Sequence, residues 1–294
     1  MKYTNYKLTI SYDGTLFSGW QKQTGRETDT VQGRLEAVAS RLAGEPVPVN
    51  GAGRTDAGVS ALCQVANVKL PGAMKADELL SCFNRYLPET VSVDRVEICP
   101  ERFHARLNAS RKTYTYCVWL DAKPPVFGRK YVYCEERPID LARLRREASS
   151  LLGKHDMLGF SSLRNPAKST IRTIFSVEAA VDVARRSSVM PDNKIGGIKG
   201  GVMPGESLRN AACGGMPTLG HDRGRMLQIQ FTGDGFLYNQ VRIMTGTLLD
   251  VAAGRLPAGT VAKVLETGDR QLAGFTAPPN ALFLTDVSYG TSGA

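Results

Sequence analysis

Segments with strand period and segments with helix period are interleaved along this chain without the regular strand–helix–strand order that builds a parallel sheet. Residues 7–12 alternate apolar and polar side chains as a half-buried strand does, and Asp13-Gly14 ends them as a turn. Residues 31–43 place Val31, Leu35, Val38 and Leu42 at helical spacing, with Thr30 able to cap the start and Gly44 after the end. A strand over 63–70, a helix over 77–86 and a strand over 91–98 follow. Beyond these, 113–119, 171–183, 226–232 and 282–288 read as strands. Helices are expected from the Asp140 cap to residue 152, over 237–253 and, more briefly, over 261–266. This order predicts an α+β fold with a largely antiparallel sheet. The two parts have similar content and meet near residue 108, which suggests related lobes over 1–108 and 109–294, although no sequence repeat is visible. Residues 185–224, rich in Gly, Ser, Met, Asn and Pro, have no periodicity and read as an inserted excursion between two strands. Such an excursion could touch a substrate or simply be tolerated at a surface tip.

A chain of 294 residues can bury a sizeable core. The formal net charge of +9 favours a polyanionic partner. No apolar run approaches the length of a membrane-spanning helix, and the first residues, Met1-Lys2-Tyr3-Thr4-Asn5, carry no apolar signal segment. The six cysteines form no CxxC pair and the three histidines are scattered, so no metal-ligand spacing is present. Free thiols in a reducing cytoplasm are the simplest expectation.

The chemistry concentrates in residues 51–60, Gly-Ala-Gly-Arg-Thr-Asp-Ala-Gly-Val-Ser, where an acid and a base sit two apart among three glycines. Glycine permits tight turns and close approach of another backbone. The loop can therefore lift Asp56 toward something large, and Arg54 beside it is expected to hold the carboxylate ionised. A positioned, ionised carboxylate is a candidate nucleophile or base. The same residues are also ordinary turn formers.

From Arg102 to Leu120 there are four cations and no acid. Arg106, Arg111 and Lys112 run into Tyr114 and Tyr116, which share a face if the segment is a strand. Cations that meet phosphates and aromatics that stack on bases suit RNA, whereas two strand tyrosines also suit a core. Arg164, Lys168 and Arg172 form a second acid-free stretch, either a phosphate-contacting loop or a solvated basic surface. Arg242 stands among Val241, Ile243 and Met244. A buried arginine needs an anionic partner, for which Asp56 is the choice; on a polar helix face it would instead meet solvent.

The chain resembles the TruA-type pseudouridine synthases. Tyr12-Asp13-Gly14 with Gly19-Trp20-Gln21 resembles the family's opening, and residues 51–61 its catalytic loop. Phe103-His104-Ala105-Arg106 followed by Tyr114 resembles its second motif, and residues 235–242 with Gly246-Thr247-Leu248 its third. The resemblance implies two α+β lobes sharing a central sheet, with the active-site cleft between them. It implies Asp56 as the catalytic aspartate, Tyr114 as the active-site tyrosine, Arg242 as the basic partner of the aspartate, and Arg54 as an RNA contact. It further implies a homodimer acting on tRNA, at uridines 38 to 40 of the anticodon stem-loop. An isomerisation that keeps every atom requires no redox cofactor and no ATP. Ser60 departs from the pattern, since bacterial members often carry His there, which bears on the target set.

Overall fold

The computed structural model describes residues 2–23, 29–163, 166, 169–183 and 224–290. Ten strands among these residues form one sheet. They are β1 (Tyr3–Tyr12), β2 (Val49–Gly51), β3 (Ser60–Pro71), β4 (Val91–Ile98), β5 (Ala109–Trp119), β6 (Tyr133–Cys134), β7 (Gly153–Asp156), β8 (Ile171–Val183), β9 (Arg225–Gly233) and β10 (Leu282–Tyr289). The order across the sheet is β4-β1-β3-β10-β5-β9-β8-β7, with β2 paired to β3 and β6 to β5. Pairing is antiparallel except for β10 with β3 and β6 with β5. The last strand in sequence is thus the seam between the strands of the first part and those of the second. One register row crosses that seam: Ala61 faces Leu284, Leu284 faces Tyr114, and Tyr114 faces Phe231.

Five α-helices among the described residues accompany the sheet: α1 (Val31–Ala43), α2 (Ala76–Tyr86), α3 (Leu141–Ser149), α4 (Gln240–Ala252) and α5 (Thr260–Thr267). Helix α1 begins and ends where its caps dictate. The Thr30 hydroxyl accepts the Gly33 N–H at 3.2 Å, and Gly44 closes the helix at φ +74°, a left-handed conformation that favours glycine. The pattern predicts α3 running to residue 152, but its regular turns stop at Ser149 and the chain tightens into i→i+3 bonds from Ser150, Leu151 and Leu152. Helix α4 starts three residues later than its periodicity suggests. Asn239 takes a left-handed φ of +61°, and the Leu237 N–H donates to the Gln240 side chain at 2.7 Å, so residues 237–239 form a turn. Strands β2, β6 and β7 escaped the periodicity because none is longer than four residues.

Strand alternation sorts β5 onto two faces. Tyr114, Tyr116 and Val118 join Leu35, Phe83, Leu144, Ile243, Leu248 and Val264 in one core, so helices from both parts pack into the same hydrophobic mass. On the reverse face Cys117 and Trp119 pack with Val132 and Phe283. Both tyrosines therefore lie on one face, as the spacing predicts. Cys82, Cys99, Cys117 and Cys134 are free thiols, whereas Cys63 is disulfide-bonded, a departure from the expectation of thiols throughout. Among the described residues no helix is long and apolar enough to cross a membrane. The excursion expected at 185–224 lies, apart from Gly224, outside the described residues.

Candidate active site

The loop carrying Asp56 is pinned by residues of β1 and the turn after it. The Thr55 hydroxyl lies 2.8 Å from the Tyr12 hydroxyl, and the Thr55 carbonyl accepts the Trp20 N–H at 3.1 Å. The Phe17 carbonyl accepts the Gly58 N–H at 3.3 Å. Buried Gln64 brackets Gly53, taking its N–H at 3.3 Å and giving an N–H to its carbonyl at 2.9 Å. Gly14 and Gly19 are required by contact. A Cβ at Gly14 would overlap the Val59 carbonyl, and one at Gly19 (φ +97°) would stand 2.8 Å from the Thr55 carbonyl. The opening motif of the sequence is therefore the cradle of the aspartate loop. Ser60 belongs to that cradle: it is buried, and its hydroxyl accepts the Gly14 N–H at 3.0 Å.

Arg242, in the first turn of α4, reaches Asp56 from the other side. Its Nη1 lies 3.5 Å from Asp56 Oδ2, and the side chains are 15% and 20% exposed. The guanidinium is also held by the Ala277 carbonyl at 2.6 Å and Asn239 Oδ1 at 2.8 Å. Asn239 in turn donates to the Ser162 hydroxyl at 3.0 Å. Three partners fix the guanidinium, so it is placed before any ligand arrives. Tyr114 completes the cleft, its ring edge-on to Phe236 with centroids 5.3 Å apart. Arg54, Asp56, Tyr114, Phe236, Asn239 and Arg242 all line this one cleft. Its cavity volume is about 40 Å³, on the scale of a single water. A larger open groove of about 590 Å³, lined by Asn50, Asn67, Arg102 and His104 among others, lies apart from these groups. The smaller cleft is the one that contains the Asp56–Arg242 ion pair and Tyr114.

The electrostatics correct two expectations. Arg54 is exposed and makes no ion pair with Asp56; the cation acting on the carboxylate is Arg242. Nor is the carboxyl pulled below its ordinary value. Burial raises its pKa and outweighs the opposing pull of Arg242. Burial also drives the Tyr114 phenol well up, with Tyr12 and Asp56 adding to the rise, so the hydroxyl stays protonated.

The other sequence candidates scatter. Lys112 lies on the Tyr114 face two residues earlier on β5, and Arg106 is exposed in the turn before that strand. Arg111 turns to the reverse face, 4.6 Å over the Phe175 ring, and so lies away from the cleft. Arg164 and Lys168 lie outside the described residues. Asn239 and Phe236 were not singled out in the sequence as site residues. The available signal for the first was an asparagine, a residue that favours helix starts and left-handed turns, inside the pattern read as helix over 237–253.

The protein is thus an α+β protein with one continuous sheet and a largely buried acid–base pair beside a tyrosine. The family described as tRNA pseudouridine synthase matches residues 8–108 and 148–290. The chain is 36% identical over 285 residues to tRNA pseudouridine synthase A of Bacillus sp. (strain KSM-64), covering 97% of this chain and 99% of the relative. It is 35% identical over 290 residues to tRNA pseudouridine synthase A of Limosilactobacillus reuteri (strain DSM 20016), covering 98% and 97%. It is 32% identical over 285 residues to tRNA pseudouridine synthase A 2 of Bacillus anthracis, covering 97% and 99%. The chain belongs to the tRNA pseudouridine synthase family.

Proposed function

We propose that this protein isomerises uridine to pseudouridine in tRNA, at uridines 38 to 40 of the anticodon stem-loop. The observation that carries the reading is the Asp56–Arg242 pair, 3.5 Å apart in a cleft shared with Tyr114. Asp56 acts as the catalytic carboxylate, and Arg242 supplies the charge that offsets its desolvation. In the reaction the bond from the ribose C1′ to N1 breaks, the freed uracil turns, and C1′ bonds to C5. The C5 proton leaves and N1 gains one, so no atom or electron is lost. Tyr114 remains a neutral phenol that packs against the rotating base and offers a hydroxyl near C5.

A cleft of about 40 Å³ does not admit a nucleoside. Exposed Arg54 at its rim swings with the incoming RNA as the target base is flipped out. That flip costs a few kcal/mol, offset by contacts to the phosphate backbone. The shape of an A-form stem, more than its base edges, guides this docking. The same reading takes residues 1–108 and 109–294 as the two lobes of a homodimer subunit working in the cytoplasm. The test incubates the protein with unmodified tRNA transcripts and maps pseudouridine at single-nucleotide resolution, with Asp56→Asn as control. Modification confined to the anticodon arm and absent with the variant is expected. An unchanged anticodon arm with the unaltered protein would sink the reading.

A further inference from the structure

Beside the cleft stands a group of cations that the proposed chemistry leaves unused. Lys112 lies on the same face of β5 as Tyr114 and one strand repeat away, roughly 7 Å along the strand. In register it faces Gly233 on β9, which has no side chain, and Val287 on β10. It is half-buried, and no carboxylate lies within ion-pair distance of it among the described residues.

Its charged surroundings come from three other elements: Arg106 from the turn before β5, Arg172 from β8, and Asp234 from the turn after β9. Asp234 is engaged elsewhere, with Oδ1 accepting the Thr173 N–H at 3.0 Å. Arg172 is fixed without being neutralised. Its Nη1 donates to the Ser169 and Ile171 carbonyls at 3.0 and 2.6 Å, and its Nε lies 3.6 Å from where a Cβ on Gly235 would stand. Arg106 likewise has no carboxylate partner among the described residues.

Three cations against the single carboxylate of Asp234, with Lys112 and Arg172 both half-buried, are unfavourable in a free protein unless a further anion joins them. The geometry points to an anion subsite formed by Arg106, Lys112 and Arg172 that seats one backbone phosphate of the RNA next to the nucleotide held by Tyr114. This rests on the RNA-modifying function proposed above and names the part of the substrate that the cluster takes. Phosphate is the anion that suits the place, because a nucleotide flipped toward Tyr114 carries its backbone along the same strand face.

The cluster also makes binding sensitive to pH. Burial foremost, then Arg106 and Arg172, lower the Lys112 pKa to about 8 against the pull of Asp234. A phosphate in the subsite favours the ammonium, so RNA binding takes up a proton in the alkaline range.

The test follows the Lys112 Nζ titration by NMR in the full-length protein carrying labelled lysine. It is run alone, with sodium sulfate, and with an unmodified anticodon stem-loop hairpin. The hairpin is expected to raise the Lys112 pKa by about one unit or more, and sulfate by less. A rise with sulfate equal to that with RNA would indicate a general anion site and overturn the assignment to the backbone. In parallel, Lys112→Gln should weaken hairpin binding on the order of ten-fold, reduce the salt slope of binding by about one, and abolish its pH dependence. Lys112→Arg should keep the affinity and lose the pH dependence. An unmoved lysine titration in the unaltered protein overturns the subsite even if Lys112→Gln fails to fold. So does a loss of turnover in Lys112→Arg at unchanged affinity. Either result leaves intact any pseudouridine formed by the unaltered protein, so the subsite and the isomerase reading fail separately.

Discussion

Asp56 is a carboxylate under two opposed influences. Burial pushes its pKa up and Arg242 pulls it down, with burial the larger. If the reaction needs the ionised form, the acid limb of the pH–rate profile lies above the ordinary carboxylate range. Arg242→Gln removes the only ion-pair partner found for Asp56 among the described residues and should move that limb higher still, alongside a loss of rate. A limb that stays or moves lower would refute this role for Arg242. Stability carries the same sign. A carboxyl with a raised folded-state pKa stabilises the fold below its unfolded pKa, and that contribution is lost as pH rises through the folded value. At neutral pH Asp56→Asn should therefore melt no lower than the unaltered protein while losing isomerisation, as thermal unfolding and a tRNA assay would reveal. The arginine in the apolar helical run pointed to Asp56 from sequence, because a cation among Val241, Ile243 and Met244 needs a partner. Arg54 misled because neighbours in sequence on a tight loop can point apart.

At the scale of elements, the aspartate loop depends on a segment some forty residues earlier. Gly14→Ala would drive a methyl group into the Val59 carbonyl. The expected cost is about 1–3 kcal/mol of stability, the usual range for overpacking, with a larger loss of turnover than of tRNA affinity. Denaturant melts and a split of kcat from KM would check it. Helix α1 was legible because its caps are local: a threonine hydroxyl at one end and a glycine at the other. The start of α4 was not, because its apolar run continues through Leu237 while the backbone at Asn239 turns left-handed. The short strands β2, β6 and β7 are strands only because a longer neighbour offers them an edge, which no local pattern encodes. Ser60 read as a departure that bears on the target set, yet its hydroxyl accepts the Gly14 N–H, a contact between β3 and the turn after β1 that no local pattern encodes.

For the whole molecule, the antiparallel α+β class followed from the order of periods, but the sheet's continuity did not. It depends on β10, which pairs with β3 on one side and β5 on the other. A chain ending after residue 281 loses that strand and should show no cooperative melt by circular dichroism. A sharp transition retained in the shortened chain would refute the seam. The same seam aligns the exit of the Asp56 loop with Tyr114 through Leu284, while Ala277 and Pro278, just upstream, hold Arg242 and Tyr116 by their carbonyls. The groups proposed to perform the reaction are thus brought together by residues 277–284, which follow all of them in sequence. Any fragment lacking residues 277–289 carries Asp56, Tyr114 and Arg242 without the strand and the carbonyl that unite them.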